Sequence, residues 1–159
     1  MSIPLVVAGE TFEYPESGDS PSWGAEATDW ASAVTDVLST VVGTGDILLT
    51  SATIANNTAV AANINGLAFD PGTVRSAIIT YSIYRVTTGV GAMEAVETGQ
   101  IFAGYLSTAN EWDISVIGGQ GAGVTFSVLA NGQFQYTSTN FTGSGYSGII
   151  KFKATAIPQ

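Results

Sequence analysis

Ser76–Thr87 reads SAIITYSIYRVT. Ala77, Ile79, Tyr81 and Ile83 fall on one side of an extended chain, and Ile78, Thr80, Ser82 and Tyr84 on the other, because successive side chains of a strand point to opposite faces. The same period recurs on both sides of this stretch. Thr58–Phe69 alternates small apolar and polar residues, and Glu97–Ser107 groups Ile101, Ala103 and Tyr105. Glu111–Ile117 sets Trp112, Ile114 and Val116 against Asp113 and Ser115, and Gly123–Ala130 repeats Val124, Phe126 and Val128. Gln133–Thr137 returns with Phe134 and Tyr136, and Ser147–Ile157 sets Ile150, Phe152 and Ala154 against Lys151 and Lys153. Asn131-Gly132 is the strongest hairpin signal, because both central positions of a type I′ turn take positive φ. About seven strands at roughly ten-residue spacing predict a mainly β fold, an antiparallel β-sandwich or jelly-roll-like domain over residues 46–159. Thr73–Val86 and Ile149–Ala156 are the strands expected to offer free edges for pairing between copies.

Residues 1–45 read differently, as an N-terminal arm and one α-helix. The arm, MSIPLVVAGETFEYPESGDSP, is a short strand-like apolar piece followed by a loop, with Pro4, Pro15 and Pro21 excluding a helix. A helix is expected over residues 22–43. Ser20 or Ser22 can cap it, Glu26 and Asp29 suit its positive end, and Gly43 stops it. Trp23, Ala27, Trp30, Val34, Val37 and Val41 follow one another at spacings of 4, 3, 4, 3 and 4, a heptad seam. One reading packs that seam on the chain's own β-domain. The other packs it on copies of itself, and the narrow seam of Val-rich, modest helix formers points to this second reading. These six residues are the expected oligomerisation and docking positions.

Composition narrows the function. Hydrophobic residues make up 45% of the 159 positions and charged residues only 11%, against about 25% in an average soluble domain. A surface so poor in charge is weakly protected against association. The net charge of −9 is also uneven, with nine acids and no base up to residue 74 and four of each after it. Either the acids keep a small domain soluble, or the N-terminal segment docks on a basic or neutral partner. Four scattered cations are too few for a nucleic-acid interface. The chain has no Cys and no His, which excludes disulfides, thiol nucleophiles, His-dependent triads and Cys-based zinc sites. No cofactor or metal is expected. No signal peptide is visible at Met1–Ala8, and no apolar run reaches the roughly 18 residues of a membrane span.

The remaining motifs have bland readings that outweigh the catalytic ones. Glu111 and Asp113 place two carboxylates on one strand face, as a glycosidase needs, but such pairs are common on solvated strands. Asp46 and Asp70 read as turn residues. Gly118–Gly123 and Gly143–Gly145 lack the Lys-Ser/Thr of a phosphate loop. Asn56-Asn57-Thr58 and Asn140-Phe141-Thr142 match a glycosylation sequon without a secretory signal to give it meaning. Tyr105, Trp112 and Tyr136 could form a sugar-stacking platform, although aromatics on alternating strands are more often core residues.

The stretch FEYPESGDSPSWGAEATDWASAVTDVL, through Tyr14, Pro15, Gly18, Pro21, Trp23, Gly24, Thr28, Trp30, Ala31, Ala33, Val34 and Thr35, resembles the N-terminal part of many tailed-phage virion proteins. GLAFDPGTVRSAIITYSIYRVT, ETGQIFAGYL and GVTFSVLANGQFQYTSTN are similar to a β-domain of head-decoration and fibre proteins. The resemblance implies a non-enzymatic virion component and a homotrimer. The short length, without a repetitive shaft, favours a capsid decoration (cement) protein bound to the major capsid protein. The alternatives are a short head- or tail-fibre or adaptor protein, another virion partner, or a carbohydrate-binding host-attachment module. The expected location is the capsid surface, with the tail as the alternative, and neither nucleic acid nor membrane as a partner.

Overall fold

A computed structural model describes residues 3–7, 10–14, 28–36, 43–118 and 121–159. The chain divides into two compact units, Met1–Gly43 and Thr44–Gln159. In the first, β1 (Ile3–Val7) and β2 (Glu10–Tyr14) pair antiparallel, with Ile3 opposite Tyr14 and Val7 opposite Glu10. The arm therefore holds two strands where one strand-like piece was expected. A short helix, α1, covers residues 28–36. Within it the Thr35 hydroxyl donates to the Ala31 carbonyl one turn back, at 2.8 Å.

The second unit is the antiparallel sandwich that the alternation predicts. Its strands are β3 (Ile47–Thr53), β4 (Ala62–Ala68), β5 (Val74–Thr88), β6 (Glu94–Leu106), β7 (Glu111–Gly118), β8 (Val124–Val128), β9 (Gln133–Ser138) and β10 (Ser144–Pro158). A five-stranded sheet has the order β3-β10-β5-β6-β7, and a three-stranded sheet the order β4-β9-β8. β5 and β10 are thus interior strands, paired with each other from Thr88–Ser144 to Val74–Pro158. The expectation that they offer free edges is corrected, because their length lets each be paired along both sides. The outer strands of the five-stranded sheet are β3 and β7.

The inward sides meet in one core. Ile79, Ile83, Ile101, Ile150 and Phe152 from the larger sheet, and Ile64, Leu67 and Phe134 from the smaller, are fully buried. Burial of each such side chain contributes roughly 1.5–3 kcal/mol relative to exposure. Tyr81 fits beside Phe126, edge to face at 5.0 Å, because its partner across the β5–β6 pairing is Gly99. A Cβ at Gly99 would stand 2.6 Å from the Tyr81 hydroxyl.

Asn131-Gly132 does lie in a hairpin, joining β8 to β9, but the turn is not type I′. Gly132 donates to the Leu129 carbonyl at 2.8 Å, and Gly132 alone of the pair has positive φ, at 82°. The geometry fits a type I turn followed by a left-handed glycine. Asn131 accepts from the Gln133 amide through Oδ1 at 3.1 Å. A side chain at Gly132 would collide with the Phe69 carbonyl, whose own N–H donates to Gly132 O at 3.1 Å.

One charged residue holds an end of the sandwich together. Arg85 continues the inward phase of β5 and is 0% exposed. Its guanidinium donates to Ala122 O at 2.5 Å, Thr139 O at 2.6 Å, Tyr146 OH at 2.9 Å and Asn56 Oδ1 at 3.2 Å. The same group lies 4.0 Å from the centroid of the Phe141 ring. Asn56, Ala122 and Thr139 belong to the β3–β4, β7–β8 and β9–β10 connections, each of which crosses between the sheets. The Asn56 amide adds to the lock, donating to Phe141 O and accepting from Phe141 N, both at 2.8 Å. The sequon-like Asn56 and Asn140 are therefore engaged in this joint, with 3.3 Å between Asn56 Nδ2 and Asn140 Oδ1. Asp70 anchors the remaining crossover at the opposite end. It accepts from Gly72 N at 2.8 Å through its side chain and from Val74 N at 2.9 Å through its carbonyl, as expected of a turn residue.

Arg85→Met should lower stability by about 3–5 kcal/mol, because it strands several carbonyls and leaves Glu97 inside without its compensating charge. Urea unfolding followed by tryptophan fluorescence measures this. An unchanged midpoint would show that the guanidinium is not the joint.

Candidate interaction surface

Arg85, Glu97 and Tyr81 form one buried cluster of ionisable groups. Glu97, 4% exposed, accepts from the Tyr81 hydroxyl at 2.8 Å and from the Ala122 amide at 3.0 Å. Ala122 thus gives its N–H to Glu97 and its carbonyl to Arg85. Burial, then the hydrogen bond to Glu97 and its charge, hold the Tyr81 hydroxyl well above the ordinary tyrosine range. All three side chains are buried and committed to neighbours, so the cluster is suited to cohesion and offers no reacting atom to a substrate.

The expected sugar platform is divided by the fold. Tyr105 and Trp112 are cross-strand partners, with ring centroids 5.4 Å apart. Trp112 is only 7% exposed, packed also against Phe69, and its indole N–H has no partner among the described residues. Tyr105 is half-buried and donates to Asn110 Oδ1 at 2.7 Å. Tyr136 is buried on β9 of the other sheet, and its hydroxyl accepts from Ala55 N at 2.8 Å. Glu111 and Asp113 are both exposed on the outward side of β7. Of the heptad positions, Trp30 is exposed and Val34 half-buried on α1, whereas Trp23, Ala27, Val37 and Val41 lie outside the described residues. Among the described residues no three metal-ligating side chains converge, and no helix is long and apolar enough to cross a membrane.

The two outer faces of the sandwich differ in chemistry. That of the three-stranded sheet presents Asn63, Thr125, Ser127, Gln133, Gln135 and Thr137. It is polar and uncharged, and partly bonded to itself. Gln135 donates to Asn63 Oδ1 at 2.8 Å, and Gln133 to the Ile64 and Leu67 carbonyls at 3.1 and 3.2 Å, where β4 slips its register.

The face of the five-stranded sheet is apolar at both ends and cationic between. At one end Ile78, Phe102, Leu106 and Ile157 surround a shallow depression of about 420 Å³. At the other, Tyr84, Val96 and Ile149 lie in one row across three strands. Ile157 and Val96 are 59% and 62% exposed. Between them Lys151 and Lys153 line a second depression of about 540 Å³ with Thr80, Ser82, Thr98 and Gln100. The residues opposite the lysines on β5 are Ser82 and Thr80, so no carboxylate stands across from either ammonium there. The same face also carries the exposed carboxylates of Glu94, Glu111 and Asp113; Glu94 accepts from the Tyr84 hydroxyl at 2.9 Å, and Asp113 lines the first depression. Alternation in Ser147–Ile157 placed the lysines opposite the core, whereas the apolar patches they separate depend on strand order.

No family model matches the chain, and no curated protein does. The crystal structure of the tailspike protein of Acinetobacter phage vB_ApiP_P1 is similar at 14% identity and a TM-score of 0.33, over 71% of this chain and 21% of that one. The chain thus spans about a fifth of that protein's length, and a likeness of this size carries no argument about fold or function.

Tyr81→Phe should destabilise by about 1–3 kcal/mol at neutral pH by leaving Glu97 short of a donor. The raised tyrosine pKa stabilises the fold fully below about pH 10, where the unfolded hydroxyl is still protonated, and is lost as pH rises further. Urea titrations at stepped alkaline pH should therefore show the wild type losing stability faster than Tyr81→Phe. Parallel curves would refute the coupling.

Proposed function

We propose that this chain is a non-enzymatic structural protein of a phage virion, a capsid decoration protein that binds the assembled shell and stabilises it by bridging subunits. The observation that carries the reading is the asymmetry of the sandwich. One outer face is uncharged and polar, suited to water, and the other joins exposed Ile, Phe, Leu and Val to two lysines and to the carboxylates of Glu94, Glu111 and Asp113. Apolar side chains grouped over a broad sheet mark an association surface. The low charge content and the closed interior cluster support a role in assembly over one in catalysis. The resemblance of Tyr14–Thr35 to tailed-phage virion proteins supplies the setting. Self-association as a homotrimer, with the major capsid protein as the further partner, belongs to the same reading.

Full-length protein added to purified expanded capsids of a phage that encodes it should bind saturably, appear as density on the shell exterior by electron microscopy, and raise the temperature of shell disassembly. No binding at saturating concentration would overturn the decoration role. Density on the tail would reassign the protein as a fibre or adaptor.

A further inference from the structure

The chain contains two Asn-Gly pairs, Asn65-Gly66 and Asn131-Gly132, and the fold treats them in opposite ways. We infer that Asn65 is a site of spontaneous covalent modification in the folded protein, converting with loss of ammonia to aspartyl and isoaspartyl forms, and that Asn131 is protected from the same reaction.

The chemistry needs no enzyme. The Gly66 amide nitrogen attacks Cγ of Asn65. The new N–Cγ bond closes a succinimide ring as the Cγ–Nδ2 bond breaks, and the proton of the attacking nitrogen departs with the ammonia. Water then opens the ring at either carbonyl, leaving an aspartate, or an isoaspartate whose backbone runs through Cγ. Base removes the amide proton, so the step speeds up as pH rises. Glycine favours ring closure because it has no Cβ to crowd the attack. Asn56, Asn57, Asn63, Asn110 and Asn140 all precede residues that carry a side chain.

Asn131 is held at both reacting groups. The nitrogen that would attack, Gly132 N, donates to Leu129 O at 2.8 Å, and Asn131 Oδ1 accepts from Gln133 N at 3.1 Å. Gly132 is buried against the Phe69 carbonyl, and its own carbonyl accepts from Phe69 N at 3.1 Å. Bringing the nitrogen to Cγ breaks the first two bonds and pulls Gly132 away from Phe69. Two hydrogen bonds of ordinary net strength slow such a step by about tenfold or more.

Asn65 is placed the other way. The β4–β9 register passes from Asn63–Gln135 to Ala68–Gln133, so Ile64, Asn65, Gly66 and Leu67 bulge out of the ladder. Asn65 and Gly66 are both exposed, and the Asn65 side chain holds no hydrogen bond among the described residues. Gln133 Nε2 donates to the Ile64 and Leu67 carbonyls at 3.1 and 3.2 Å. It fixes the two ends of the run and leaves the pair between them untied. An isoaspartate here lengthens the chain inside a bulge, where no ladder pair has to move. Conversion adds a carboxylate beside a sheet whose outward residues, among them Asn63, Gln135 and Thr137, are uncharged.

The test uses the full chain, incubated at mildly alkaline pH both folded and unfolded in urea. Chymotryptic peptides are followed by mass spectrometry, and isoaspartate is counted by enzymatic carboxyl methylation. In the folded protein the Asn65 peptide should convert at least about tenfold faster than the Asn131 peptide. In urea the two rates should converge. Asn65→Gln, whose longer side chain disfavours the ring, should keep the folded protein free of new acidic species on anion exchange. Equal folded-state rates at the two sites, or an Asn65 that converts only in urea, would overturn the assignment. The converted wild-type protein should keep the urea midpoint of the unconverted one, and a product that unfolds on conversion would overturn the account of the bulge.

Discussion

The fold depends on how one buried guanidinium is satisfied. A lone charge in a protein interior is costly unless it is bonded on every side. Arg85 meets that demand with carbonyls and an amide oxygen drawn from three inter-sheet connections and with the Tyr146 hydroxyl of β10. Those connections lack regular structure, and their backbone groups would otherwise need partners of their own. A single planar donor set therefore solves both problems at once. Lysine could not replace it, since three donors at one point cannot reach acceptors arranged around a plane. Glu97 completes the balance through Ala122, whose N–H it accepts while Arg85 holds the carbonyl of the same residue.

With the interior closed in this way, the outer faces of the sandwich are what a partner would meet. The inward ionisable groups are committed, and Trp112 and Tyr136 are spent on the core. What remains available is the chemistry of the outer faces, and there the two sheets diverge. The smaller sheet bonds its amides to itself and leaves an uncharged surface. The larger one keeps branched and aromatic residues in the open on strands of up to 15 residues.

Much of this was legible in the sequence, and what escaped has physical reasons. Alternation gave the strands from β4 to β10 and, from β5 on, the sets of side chains that share a face, although Val116, grouped with Trp112 and Ile114, is exposed. The same alternation, carried two residues past Ile83, puts Arg85 in the core, and carried back from Ile101 it does the same for Glu97. Apolar residues define the pattern by eye, so the charged positions in phase with it are easily passed over. Strand order was not legible, because alternation fixes faces and says nothing about neighbours; β5 and β10 were expected at edges for that reason. Tyr105, Trp112 and Tyr136 looked like one platform only while their sheets were unknown. The turn at Gly132 was found by its dipeptide, but its type depended on the Leu129 carbonyl two residues before Asn131.

Charge scarcity gives each exposed ion positional meaning. In an ordinary domain two lysines on a strand would be lost among many others, and their field would be cancelled by neighbouring carboxylates. Here only 11% of residues are charged, and the residues opposite Lys151 and Lys153 on β5 are a serine and a threonine. Their i, i+2 spacing on β10 projects both ammonium groups to the same side, between two apolar patches. Solubility alone would be served as well by lysines on the polar sheet, where no apolar surface needs an oriented partner. On the larger sheet the two ammonium groups stand among exposed apolar residues, with the carboxylates of Glu94, Glu111 and Asp113 on the same face, so a partner there must match charges of both signs as well as apolar shape.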